Sequence, residues 1–215
     1  MAKLWTFGDS FTESFLLKDE YIQIDWRYEY VNWKGYVPKV YGEILSEKFE
    51  MQLMNFGKSS WDNYSIFESF CGVANQIKKD DLVIFEWSDT TRFRLTDSNG
   101  IWHYFVPSWR PKSVYAEYMD RESVDKILAN RTNPKYSEEV NMWIQLINHA
   151  LKNISVIHWT PFVSNIQANY LSGFETIRDE TNGVINDEHF SEAGQEELSK
   201  LLEANYNRIK RKEII

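Results

Sequence analysis

Cysteine is almost absent from this chain, in which Cys71 stands alone. One thiol excludes an internal disulfide and a thiolate cluster for zinc, which fits a reducing compartment without demanding one. Cys71 itself reads as core filler. Long apolar runs are missing as well: no stretch approaches the roughly 20 apolar residues that a membrane-spanning helix requires, so no membrane span is expected. The opening residues, Met1 to Ser10, have neither the apolar core nor the small-residue cleavage site of a secretory signal. Excess positive charge is also lacking. A net charge of -8 argues against a general binder of phosphate backbones, so no nucleic-acid partner is expected. Lys210-Arg211-Lys212 then reads as the solvated end of a helix, where cations suit the helix dipole. No P-loop, dinucleotide glycine fingerprint, repeat or low-complexity tract occurs. No histidine pair has metal-ligand spacing with enough partners, so no metal is expected.

Aromatic residues, by contrast, are plentiful at 16%, with nine Trp and twelve Tyr. Such rings build cores, but in loops beside a cleft they also stack on sugar faces, a mild pointer to a glycan ligand. The 43% hydrophobic and 26% charged residues are those of a globular protein, and 215 residues suit one domain spanning 1–215.

Along the chain, strands alternate with helices. Lys3 to Phe7 reads as a strand ending in a Gly-Asp-Ser turn. Tyr36 to Phe49 has helical spacing, with Pro38 tolerated in the first turn. Met51 to Phe56 is a second strand, and Trp61 to Ile77 a helix with Ile66, Phe67, Phe70, Val73, Ala74 and Ile77 on one face. Leu82-Val83-Ile84-Phe85, within Asp81 to Trp87, has the continuous apolar character of a parallel strand buried on both sides. Val140 to Leu151 marks a helix, Ile154 to Trp159 a buried strand, and Phe174 to Ile177 a short edge strand. The final helix starts near Ser191, with Leu198, Leu201, Leu202 and Ile209 as its inner stripe. This rhythm implies an α/β protein, a three-layer α/β/α arrangement around a mostly parallel sheet of about five strands. Its site belongs at the carboxyl ends of the strands. Glu13 to Gly35 and residues 88–134 exceed ordinary connection lengths and are candidate walls or a lid, the latter with a short helix near Arg121 to Ala129.

Three stretches carry chemistry. Ser10, in Phe7-Gly8-Asp9-Ser10-Phe11, follows a strand and stands at a turn, where a hydroxyl can meet an acyl carbon once a base takes its proton. Gly, Asp and Ser are also ordinary turn residues. His189, in Asn186-Asp187-Glu188-His189, leads into the last helix, where a carboxylate can reach Nδ1 while Nε2 faces a serine. Gly57 follows the second strand in Asn55-Phe56-Gly57. The other histidines suit other roles: His149 a helix face, His158 a hydrogen-bonded core position beside Trp159, and His103 a loop aromatic cluster with Trp102 and Tyr104.

The three motifs in this order resemble the GDSL esterases, or SGNH hydrolases, whose serine lies near the N-terminus and whose acid and histidine share a loop near the C-terminus. The resemblance spans nearly the whole chain and implies a flavodoxin-like sheet and a serine esterase without a cofactor. Ser10 is then the nucleophile and His189 the base. Asp187, two residues before His189, is the orienting acid; the commoner spacing of three falls on Asn186, the alternative. Oxyanion donors implied are the Ser10 and Gly57 N–H groups and a side chain from a third block. Where the family has Gly-X-Asn-Asp, this chain reads Glu86-Trp87-Ser88-Asp89, similar to a phage-type and related bacterial subgroup. Ser88 therefore stands in for asparagine, with Asn63 at the next helix start as the other candidate.

Trp87, Arg92 and Trp61 are candidate substrate contacts. Both Trp residues are divided between cleft wall and core, and Arg92 and Arg94 have ion pairs with Asp89 or Asp97 as the alternative. Thr12 and Glu13 read as helix-start residues. The expected activity is hydrolysis of short acyl esters, acetyl above all, with carbohydrate as an expected carrier. A non-catalytic glycan-binding or virion module, or an acyltransferase, would use the same scaffold. The expected location is cytoplasmic or virion-associated. Ser10 and His189 more than about 5 Å apart would favour the non-catalytic module, because proton transfer needs hydrogen-bond reach.

Overall fold

A computed structural model describes residues 1–15, 26–96, 102–105 and 134–213, with 122, 126 and 129. Five parallel strands form the sheet: β1 (Lys3–Gly8), β2 (Gln52–Gly57), β3 (Leu82–Glu86), and two later ones, Ser155–Thr160 and Asn169–Tyr170. A separate antiparallel hairpin intervenes, β4 (Phe93–Thr96) with β5 (Trp102–Phe105), so the later sheet strands are β6 and β7. The sheet order is β2-β1-β3-β6-β7, which places the reversal of strand order at β1, between β2 and β3. In such sheets ligands bind outside the carboxyl ends of the strands at that reversal.

Side chains along each strand alternate between the two faces of the sheet, which divides the core in two. Trp5, Phe7, Val83, Phe85 and Trp87 face α3 (Asn63–Val73) and α4 (Pro134–Ala150), meeting Ile66, Phe70, Val140, Ile144 and Ile147. Leu4, Leu82, Ile84, Ile157 and Trp159 face α2 (Tyr41–Lys48) and the last helix, meeting Tyr41, Leu45, Leu198 and Leu202. All five residues of β3 are buried, the apolar run Leu82 to Phe85 as its character requires and Glu86 with it. Two shorter elements complete the carboxyl end: α1 (Trp26–Lys34) and α5 (Ile177–Glu180), and the last helix, Glu192–Glu213, is α6.

Several sequence expectations are corrected. Pro38 lies ahead of α2 instead of in its first turn, because the helix begins only after Val40, whose N–H donates to the Glu43 carboxylate at 2.9 Å. No strand forms at Phe174–Ile177; a single bridge joins Thr176 to Phe190, and the Thr176 hydroxyl accepts the Asp179 N–H to cap α5. The edge strand is Asn169–Tyr170. Leu201 is 43% exposed while Leu198 and Leu202 are fully buried, so it lies off the inner stripe. Cys71 and His149 are exposed. The helix expected at Arg121–Ala129 lies mostly outside the described residues, although Glu122, Lys126 and Ala129 are helical. Among the described residues no helix is long and apolar enough to cross a membrane.

Candidate active site

The end of β1 turns sharply at Asp9, whose carbonyl accepts the N–H groups of Thr12 and Glu13 at 3.2 and 3.0 Å. Its carboxylate accepts the Phe11 N–H at 3.0 Å, a side-chain turn that fixes the backbone on both sides of Ser10. Ser10 itself is 7% exposed. Among the described residues its N–H has no hydrogen-bond partner.

From the other end of the chain, α5 holds the loop that carries the histidine. A helix start has N–H groups with no intrahelical acceptor. Here Ile177 N–H donates to the His189 carbonyl at 2.8 Å and Arg178 N–H to the Asp187 carbonyl at 3.0 Å. Asp187 Oδ1 accepts the His189 N–H at 2.8 Å and lies 2.6 Å from His189 Nδ1. A carboxylate only accepts, so the imidazole proton sits on Nδ1 and Nε2 is left as an acceptor. Ser10 Oγ is 2.6 Å from Nε2. Ser10, His189 and Asp187 thus form one hydrogen-bonded line, while Asn186 is exposed and makes no hydrogen bond to the ring.

The expected oxyanion donors fare differently. Gly57 N–H donates to Asn55 Oδ1 at 2.7 Å, so it is engaged within its own strand. Its lack of a side chain has another cause: a Cβ there would lie 2.5 Å from Thr12 C and Glu13 N, in the turn that follows Ser10. The Ser88 hydroxyl is also engaged, donating to Asp9 Oδ2 at 2.6 Å. Asn63 clasps the Ser88 backbone, accepting its N–H at 2.7 Å and donating to its carbonyl at 3.0 Å. One of the two Asn63 amide hydrogens is used in this way. Ser60, which the sequence did not single out, adopts φ 68°, a left-handed conformation uncommon outside glycine. Its N–H has no partner among the described residues.

Of the candidate substrate contacts, both Trp residues pack with the core and Arg92 is ion-paired. Trp87 is fully buried, and its Nε1–H donates to His158 Nδ1 at 3.1 Å. It continues β3 beyond its last ladder position, with its N–H on the Trp159 carbonyl at 2.8 Å, so its ring falls on the core face. Trp61 is half-buried and packs against the same core. His158 takes the core role expected of it. Burial lowers its pKa to about 4, and as the neutral imidazole it donates from Nε2 to Asn148 Oδ1 at 3.2 Å. Arg92 pairs with Asp9 at 2.6 Å, not with Asp89, and Arg94 pairs with Glu68 at 2.9 Å. The side chain of His103 lies outside the described residues.

Beneath the serine lies a buried charge network with no clear sequence signal. Asp9 and Glu86 are both fully buried. Glu86 Oε2 accepts the Asp9 N–H at 2.6 Å and the Thr12 hydroxyl at 3.3 Å. Burial alone would raise the pKa of Asp9, but Arg92 and the Ser88 hydroxyl hold it below its ordinary value. Burial and the neighbouring Asp9 charge drive Glu86 well above its own. Two such carboxyls share one proton, which resides on Glu86, leaving Asp9 as the anion that Arg92 neutralises. Among the described residues no group of His, Cys, Asp and Glu could hold a metal ion.

No protein-family model and no curated protein matches the sequence. Solved structures similar to it include a protein from Desulfitobacterium hafniense, described as lipolytic and of the G-D-S-L family. That chain is 13% identical, with 95% of this chain and 99% of that one covered at a TM-score of 0.39. A member of the lipolytic protein G-D-S-L family from Veillonella parvula is 13% identical, covering 93% and 95% at 0.34. An acetyl xylan esterase from Geobacillus stearothermophilus is 12% identical, covering 95% and 94% at 0.35.

Proposed function

We propose that this protein is a serine ester hydrolase of the GDSL type that acts through an acyl-Ser10 intermediate. The observation that carries this reading is the 2.6 Å contact of Ser10 Oγ with His189 Nε2, continued by the 2.6 Å contact of Nδ1 with Asp187. Both lie within the reach that proton transfer needs, which disfavours a purely binding module. Ser10 Oγ attacks the ester carbonyl carbon and gives its proton to Nε2. Asp187 stabilises the imidazolium that results. As the carbonyl reforms, the bond to the alcohol oxygen breaks and the leaving alkoxide takes the proton from Nε2. Water then repeats the sequence on the acyl-serine, releasing the acid. The developing oxyanion needs donors that are not already engaged. Candidates are the Ser10 N–H, the remaining Asn63 amide hydrogen and the Ser60 N–H.

The preferred substrate is a short acyl ester, acetyl above all, with a carbohydrate as its carrier. A cleft of about 320 Å³ supports the carbohydrate part: Asn63, Tyr64, Glu68, Arg92 and Trp143 are among its walls, a mixture of rings and polar groups suited to sugars, and Asn63, not Ser10 or His189, links it to the site. Transfer of the acyl group to a sugar instead of water would begin with the same intermediate. The test is hydrolysis of p-nitrophenyl acetate and butyrate by wild type and Ser10→Ala, both checked for folding. Loss of activity in the variant, with acetate preferred over butyrate by the wild type, is the expected result. Equal rates in both proteins would refute Ser10 as nucleophile.

A further inference from the structure

Both nitrogens of His189 are occupied, by Asp187 and Ser10, yet these two hydrogen bonds leave the ring free to tilt about their line. Tilt is controlled from the faces. Trp26, the first residue of α1, stacks on His189 with ring centroids 4.1 Å apart and planes 11° from parallel. Phe11, one residue past the nucleophile, meets the same imidazole at 4.6 Å and 35°. Other aromatic contacts keep these two rings in place. Phe15 sets its edge against Trp26 at 5.7 Å, while Phe11 rests against Phe162 and Phe190.

α1 is also anchored to the elements that carry the histidine. Tyr30 is fully buried; its hydroxyl accepts the Glu192 N–H at 2.9 Å, at the start of α6, and donates to Glu180 of α5. Lys34 bridges the same two elements, 2.7 Å from Glu180 and 2.9 Å from Glu192. Burial works against the charge on Lys34, but these carboxylates more than offset it and raise its pKa. Arg27 pairs with Glu13, whose carboxylate also accepts the Ser59 N–H at 2.7 Å. α1 is thus tied both to the histidine loop and to the turn after Ser10.

We propose that Trp26 is a positioning residue for His189, holding the imidazole plane in line with Ser10 Oγ and presenting an indole face to the imidazolium formed during acyl transfer. The negative face of an indole attracts a cation stacked on it, and that attraction appears only once the ring carries the proton. An interaction stronger in the transition state than in the ground state acts on kcat and not on substrate binding. The kinetic part of this assignment rests on His189 being the base of an ester hydrolase. The stack itself does not.

The test compares Trp26→Leu, which keeps bulk without a π face, with Trp26→Phe, which restores a flat ring. Expected with p-nitrophenyl acetate is a fall in kcat of about tenfold for the Leu variant, the equivalent of about 1.4 kcal/mol, with KM unchanged and most of the rate recovered by Phe. In a His189→Ala background Trp26→Leu should cost nothing further, since the stack has lost its partner. Wild-type kcat in the Leu variant, a Phe variant as slow as the Leu one, or the same loss in the His189→Ala background would each overturn the proposal. A second readout needs no substrate: His189 ring C–H resonances, assigned by their loss in His189→Ala, should lie upfield through the indole ring current and move downfield in Trp26→Leu. A folded wild type without esterase activity would refute the hydrolase reading, and the stack would then be decided by these resonances. If they do not move in Trp26→Leu, the stack is refuted whatever the activity.

Discussion

Asp187 meets His189 twice, at the backbone N–H and at Nδ1, through the same carboxylate oxygen. Asp187→Asn keeps the shape but offers the ring an amide that cannot stabilise imidazolium and can favour the wrong tautomer. Its expected effect is a loss of kcat on the order of 10³–10⁴-fold with KM little changed, read from steady-state kinetics. A second prediction at this scale concerns Glu86. Its pKa in the folded protein is raised well above the ordinary 4.5, so the unfolded chain gives up this proton first as the pH rises. The stability it contributes is complete below about pH 4.5 and is lost as pH climbs through the folded-state value. Asp9, depressed below 3.8, has the opposite sign, and its contribution is lost as pH falls through its folded-state value. Glu86→Gln mimics the protonated acid and removes the alkaline loss. Denaturant unfolding should find the two proteins similar near about pH 5 and the variant more stable near about pH 9. A variant that falls behind at the higher pH would contradict the assignment of the proton to Glu86.

Among the elements, β1, β2, β3 and β6 were legible because each is a short run of apolar or alternating residues bounded by turn residues. The edge strand was not. Asn169 and Tyr170 are both exposed, and two residues carry no periodicity. The Thr176 region is illegible for a related reason, since Phe174 packs on Phe190, Ile177 joins Tyr30 and Ile185 in a separate cluster, and the polar cap starts α5 instead of extending a sheet. Gly57 shows where sequence and structure agree on a residue but differ on its reason. The resemblance implies an N–H donor there; the structure places the backbone of Thr12 and Glu13 where its Cβ would go. Gly57→Ala should therefore force β2 and the nucleophile turn apart, with a loss of about 1–3 kcal/mol in chemical denaturation. An Ala variant of undiminished stability would show that the turn moves freely.

At the scale of the molecule, residues 179 positions apart, Ser10 and His189, meet because the first strand lies inside the sheet and α5 folds the C-terminal loop back over its end. Their order and turn residues make both visible in the sequence, and Asp187 is the favoured acid because a carboxylate can stabilise imidazolium, although the commoner spacing falls on Asn186. The support around them was not visible. Asp89 and Asp97 are the sequence neighbours of Arg92, whereas Asp9, with which it pairs, comes from the turn after β1. Trp26 lies in a segment whose length marked a wall without saying which residue faces inward. Pairings of this kind depend on how distant segments are brought together, and local pattern carries no trace of them. The central claim is that Ser10 is an activated nucleophile. Its most direct test is treatment of folded wild type, Ser10→Ala and His189→Ala with a fluorophosphonate, followed by intact-mass and peptide mass spectrometry. The expected result is one adduct per wild-type chain, mapped to Ser10, absent in Ser10→Ala and formed far more slowly in His189→Ala. A folded wild type that takes no adduct, or one labelled at another residue, would contradict it.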